Sequence, residues 1–135
     1  MLDHISIRVA DYERSKKFYE TALAPLGYTL AMESRSGAGF RREFIPDFWI
    51  KQGEPASFGA RAETQMLGCG GPSVHIVFVS DNRVTVDVFY HAALAAGARY
   101  NGAPGLRPDY HPNYYGAFVF DPDGYNIEAV CHKAE

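Results

Sequence analysis

Apolar residues recur along this chain with two periods, and the periods change in the same order twice. Residues 4–9 (HISIRV) alternate, as a half-buried strand does. Ile5, Ile7 and Val9 fall on one face, and His4, Ser6 and Arg8 on the other. From residue 12 the spacing becomes helical, with Phe18, Tyr19, Ala22 and Leu23 on one side of a helix over 12–24. Asp11 is placed to cap its start, and Pro25 and Gly27 to close it. Strands are predicted over 27–33, 39–45 and 47–52. The second pass begins at Val74, with a strand over 74–79 and a helix over 83–96 capped by Asp81 or Asn82 and ended by Gly97. Strands then follow at 98–102, 115–120 and 125–131, with a Pro-rich loop at 103–113. The turn Asp121-Pro122-Asp123-Gly124 joins the last two, since Pro pre-sets its own φ and Gly accepts a positive one.

The two passes are related in sequence. An offset of 71 sets His4-Ile5 on His75-Ile76, Phe18-Tyr19 on Phe89-Tyr90, and Ala22-Leu23-Ala24 on Ala93-Leu94-Ala95. Seven of 21 positions are identical, where chance composition gives roughly one or two. The reading is an α+β domain spanning residues 1–135. It consists of two βαβββ modules, at about 1–53 and 73–133, joined by a Gly-, Pro- and Ala-rich linker at about 54–72.

Composition narrows the function classes. Among 135 residues, 47% are hydrophobic and 14% aromatic, which fits a packed core and excludes intrinsic disorder. Thirteen basic and sixteen acidic residues give a net charge of −3, with no basic stripe, so nucleic acid is not an expected partner. No apolar run is long enough to span a membrane, and residues 1–4 do not open a signal peptide. Cys69 and Cys131 form no CxxC motif and read as free thiols in a reducing cytoplasm.

Three side chains suggest metal chemistry. His4 and His75 occupy repeat-equivalent strand positions, and Glu128 shares a face of the last strand with Asn126 and Val130. All three point away from the helix-packed faces, towards whatever the sheets enclose. Two imidazoles and a carboxylate suit Zn, Fe, Mn, Ni or Co and leave coordination positions open. Around them, His111 has the intrinsic basicity for acid–base work, and Tyr115 is expected to reach the enclosed space. Trp49, Arg107, Asn113, Tyr114 and Arg42 are candidate substrate contacts. Cys69 has no base beside it in the sequence and is not read as a nucleophile.

The His4 strand, the Phe18-Tyr19 helix, the His75 strand and the run Phe120-Asp-Pro-Asp-Gly-Tyr-Asn-Ile-Glu128 resemble the vicinal oxygen chelate superfamily. Its members include glyoxalase I, extradiol dioxygenases, fosfomycin-resistance proteins and bleomycin-binding proteins. The resemblance covers nearly the whole chain. It implies paired modules forming an open, cup-shaped barrel, and a homodimer whose site is often built from both chains. It also implies His4, His75 and Glu128 as ligands of one divalent metal per site. The ion would act as a Lewis acid on a small oxygenated substrate, in lyase, isomerase, dioxygenase or thiol-transfer chemistry. The alternative it implies is a non-catalytic, drug-binding protein of the bleomycin-resistance type. The chain departs from the glyoxalase I pattern where a fourth ligand, a Glu, is expected in the last strand of the first module. That strand carries Trp49 instead. The 103–113 loop also lacks the basic, serine-rich composition of the fosfomycin-resistance group.

Overall fold

The computed structural model describes residues 2–54 and 74–134. The expected linker and Cys69 lie almost wholly or wholly outside the described residues. The first module runs β1 (Ile5–Val9), α1 (Tyr12–Leu23), a 3-10 turn (Ala24–Leu26), β2 (Thr29–Ser34), β3 (Gly37–Arg41) and β4 (Phe48–Gln52). The second runs β5 (His75–Val79), α2 (Arg83–Ala95), β6 (Arg99–Leu106), β7 (Tyr115–Phe120) and β8 (Asn126–Cys131). Each module is one four-stranded sheet, ordered β1-β4-β3-β2 and β5-β8-β7-β6. The two βαβββ modules expected from the pattern are therefore present, with sheets that do not close on themselves. Among the described residues, no helix is long and apolar enough to cross a membrane.

Local signals explain most boundaries. The Asp11 side chain accepts from the Arg14 amide at 3.0 Å, and Asn82 accepts from the Thr85 amide at 2.8 Å. Each satisfies a helix N–H that has no intrahelical partner. Gly27 then turns the chain with φ of 83°. Two strand predictions need correction. The expected 39–45 strand starts and ends earlier, at Gly37–Arg41, because Arg42 leaves the ladder to reach the other module. The expected loop from residue 103 is strand as far as Leu106. β6 is an edge strand with register shifts at Tyr100/Gly102 and Gly102/Gly105. An edge position tolerates the N–H that Pro104 lacks.

The helices cover the apolar sheet faces. Val9, Phe40, Phe48 and Ile50 are buried in the first module, and Ala117, Val119, Ile127 and Ala129 in the second. Edge-to-face aromatic pairs run across the junction: Phe18–Tyr19 at 4.9 Å, Tyr19–Phe48 at 4.8 Å, Phe48–Phe78 at 5.4 Å and Phe78–Tyr28 at 5.1 Å. Geometry of this kind contributes beyond the area it buries.

A polar latch accompanies these rings. The β7–β8 turn of the second module inserts against α1 of the first. Within it, the buried Asp121 accepts from the equally buried Tyr19 hydroxyl at 2.6 Å. Its other oxygen accepts the amides of Asp123 and Tyr125 at 2.9 and 2.8 Å. The Tyr125 hydroxyl returns a bond to the Arg8 carbonyl at 2.8 Å, and Arg14 donates to the Pro122 carbonyl at 3.1 Å. Burial raises the Asp121 pKa, against the opposing effect of the donated hydrogen bonds.

Asp121→Ala leaves three donors without their acceptor, and we expect a loss of about 3 kcal/mol in urea denaturation. A pKa raised in the folded state stabilises fully below the ordinary carboxylate range, and that contribution is lost as pH rises through the raised value. Asp121→Asn keeps an acceptor and should flatten this slope; an unchanged pH–stability curve would count against the assignment.

Candidate functional site

The faces turned away from the helices carry the candidate chemistry. β8 lies between β5 and β7, so Glu128 sits mid-sheet, and its side chain is only 1% exposed. A carboxylate buried this far requires donors. One is Tyr114, whose hydroxyl donates to Oε1 at 2.6 Å. Burial, and then this contact, raise the Tyr114 pKa, so the phenol keeps its proton and remains a donor. Gly116 makes the approach possible, since a Cβ there would meet Oε1 at 2.8 Å.

Oε2 has a different environment. His75 Nε2 lies 2.9 Å away, yet Oε2 accepts no hydrogen bond. The approach is close enough but not aligned as a donor–acceptor pair. An orphaned carboxylate oxygen beside an imidazole nitrogen is what two ligands of one cation look like without the cation. At usual ligand lengths, two such atoms at right angles about a metal stand roughly 3 Å apart. The donor chemistry and spacing of this pair fit a divalent metal.

His4 is not part of that pair. It precedes β1, its side chain is 52% exposed, and its Nδ1 contacts the neighbouring Asp3 at 2.6 Å. Among the described residues no three His, Cys, Asp or Glu side chains gather as a metal site. Within one chain, His4, His75 and Glu128 therefore do not come together. The two modules pack through helices, aromatic rings and the latch, which leaves His4 and the His75–Glu128 pair on separate sheets.

The register defines what replaces Glu128 in the first module. Val77 pairs with Glu128 in the β5–β8 ladder, and Ser6 pairs with Trp49 in the β1–β4 ladder. By the 71-residue offset Ser6 corresponds to Val77, so Trp49 stands at the position of Glu128. Each has a complementary neighbour: Trp49 opposes Gly39, where a Cβ would lie 2.8 Å from the indole, whereas Glu128 opposes Phe118. Trp49 lines a cavity of about 300 Å³ with His4, Asp3, Ile45, Pro46 and Lys51.

The remaining candidates divide. Tyr115 does not face the enclosed side. It lies on the face of Ala117 and Val119, which is packed under α2; its hydroxyl donates to Asp87 at 2.8 Å and its ring meets Arg83. Its neighbour Tyr114 is the tyrosine at Glu128. Arg42 is committed to the Val79 carbonyl and the Asp81 carboxylate, clamping the modules together. Arg107 lies over the Phe118 ring, 5.5 Å from its centroid, and Phe118 in turn is 6.1 Å from the His75 ring. Asn113 contributes its amide, which donates to His111 Nδ1 at 3.1 Å.

That last bond sets a tautomer. With Nδ1 accepting, the neutral His111 ring carries its proton on Nε2, which lies 2.7 Å from His132 Nδ1. His132 then carries its proton on Nε2. Both imidazoles pack on the Tyr114 ring, at 5.4 and 5.2 Å. His132 was not singled out in the sequence; its only signal there is that it follows the last strand.

Residues 1–129 match the family model of the Glyoxalase/Bleomycin resistance protein/Dioxygenase superfamily. The chain belongs to this superfamily. A curated relative, the uncharacterized protein YqjT of Bacillus subtilis (strain 168), is 26% identical over 135 residues, covering 96% of this chain and 98% of that protein. A glyoxalase/bleomycin resistance protein from Albidiferax ferrireducens T118 superposes with a TM-score of 0.76 at 27% identity, covering 97% and 98% of the two chains. The fosfomycin resistance protein FosX from Mesorhizobium loti has the same fold, with a TM-score of 0.67 at 20% identity over 98% and 92%. The superfamily contains enzymes and members that bind small molecules, and a divalent metal is typical of it.

Tyr114→Phe removes the one hydrogen bond that Glu128 accepts through its side chain among the described residues, and should cost about 1–3 kcal/mol in urea denaturation. A variant as stable as the parent would show that Glu128 needs no donor there.

Proposed function

We propose that this chain is a metal-dependent enzyme acting on a small oxygenated substrate, with a site shared between two copies. The observation that carries the reading is the Glu128 Oε2 atom, buried, without a donor, and 2.9 Å from His75 Nε2. His75 and Glu128 supply two ligands, and the partner subunit's His4 supplies the third. Among the described residues of one chain these three side chains do not gather, which argues for the second copy. The bound ion, one of Zn, Fe, Mn, Ni or Co, supplies Lewis acidity towards substrate oxygens. The protein's own contribution is to hold Glu128 by Tyr114, so that only Oε2 is presented. His132 Nε2 is the end of the His111–His132 pair open to exchange a proton, because both His111 nitrogens are engaged. Trp49 supplies an apolar wall where the first module lacks a carboxylate. The reaction belongs to the lyase, isomerase, dioxygenase or thiol-transfer types of the superfamily, in the cytoplasm.

The second reading is a homodimeric small-molecule binder of the bleomycin-resistance type. The Trp49-lined cavity beside His4 favours it.

Elemental analysis of untagged protein separates the two. The enzyme reading expects about one metal per chain, lost in His4→Ala, His75→Ala and Glu128→Ala. Heterodimers of His4→Ala with Glu128→Ala rebuild one of their two sites, so half the metal should return. No metal after reconstitution, with ligand binding indifferent to chelator, would instead support the binder. Recovery absent from heterodimers, with metal bound by the parent, would place the site within one chain.

A further inference from the structure

The sheet face that carries His75 and Glu128 also carries two guanidinium groups without a counter-charge. Arg107 lies over Phe118 and Arg99 over Phe120, at 5.5 and 5.3 Å from the ring centroids. Both rings belong to β7, two residues apart, and so share the face on which Phe118 pairs with Glu128. Among the described residues, neither Arg99 nor Arg107 has a carboxylate within ion-pair distance, whereas Arg42 does. The nearby Glu128 carboxylate accepts from Tyr114 through Oε1 and stands beside His75 through Oε2, and neither arginine ion-pairs with it. A protein of net charge −3 thus leaves uncompensated positive charge at its candidate site, where a low-dielectric wall focuses the field.

Arg107 is also held in place, as a solvated surface arginine is not. Its terminal nitrogens donate to the Ala103 and Leu106 carbonyls at 2.7 and 3.2 Å. Its own amide bonds the Tyr114 carbonyl at 2.7 Å, and its carbonyl accepts the Tyr110 amide at 3.0 Å. Gly105 makes room for it, since a Cβ there would lie 2.9 Å from the guanidinium. Two of its five N–H groups are thereby used, and the others keep the planar fork that suits a carboxylate. Fixing the guanidinium beforehand lowers the entropy cost of gripping an anion.

We propose that Arg107 is the anion grip of this site, and that the substrate is a small carboxylate that also carries a hydroxyl or carbonyl oxygen. The carboxylate lies on the Arg107 fork, and the oxygen is turned past Phe118 to the His75–Glu128 pair. This deepens the enzyme reading above and rests on it for the oxygen's destination. Arg99, over the ring two ladder positions further along β7, adds to the field but not to the grip.

Calorimetric titration with mandelate and with its uncharged isostere mandelamide tests this, on the parent and on Arg107→Met, Arg107→Lys and Arg99→Met. Metal content and dimer mass are measured on the same samples. We expect mandelate to bind at least tenfold more tightly than mandelamide in the parent. The preference should fall to within twofold in Arg107→Met, survive in part in Arg107→Lys, and persist in Arg99→Met, with metal content unchanged. A preference that survives Arg107→Met, or metal-loaded parent that binds both compounds equally, overturns the proposal. So does loss of the dimer in Arg107→Met, which would assign the guanidinium to the subunit contact. A preference that depends on Arg107 in protein that binds no metal supports the anion grip and removes the metal reading alone.

Discussion

The hydrogen bond from Tyr19 to Asp121 is the constraint on which the placement of everything else depends. Both groups are excluded from water, so neither can do without the other. Tyr19 stands on α1 of the first module, and Asp121 opens the turn that leads into β8 of the second. The same turn is closed by the Asp123 and Tyr125 amides on Asp121. One carboxylate therefore sets the turn, joins the modules and starts the strand that carries Glu128. The Asp-Pro-Asp-Gly stretch, which contributed to the family resemblance, does structural work in this chain.

Glu128 shows the opposite economy. Its strand is central, so the side chain is buried whatever its use. Tyr114 satisfies one oxygen and leaves the other bare beside His75. In a core selected only for stability, an unpartnered carboxylate oxygen would be a cost with no return. Its persistence beside an imidazole is the physical basis for reading this face as a site. The two histidines packed on Tyr114 hold the ring from which that bond is made.

The duplicated modules have diverged where chemistry would lie. At the same register position one carries Glu128 facing Phe118, and the other Trp49 facing Gly39. Bulk has moved from one strand to its neighbour, which keeps each sheet face filled while one module offers a carboxylate and the other an aromatic wall. Two such unlike faces are complementary if copies pair first module to second, the arrangement proposed for the shared site.

Much of this was present in the linear pattern. The two βαβββ passes, the Asp11 and Asn82 caps, the turn before β8 and the shared sheet face of His75 and Glu128 all follow from signals within a few residues. Period and capping are local chemistry, so the chain alone specifies them. Other features depend on what a residue meets far away. Pro104 lies in a strand because β6 is at an edge. Arg42 leaves its ladder because Val79 and Asp81 stand opposite. Tyr114 rather than Tyr115 meets Glu128 because α2 covers the face of Ala117 and Val119. His132 gains its meaning from His111, and His4 is separated from Glu128 by the way two helix-backed sheets pack. Such outcomes are set by contacts between elements distant in sequence, where each residue has competing partners and only the packed chain selects among them.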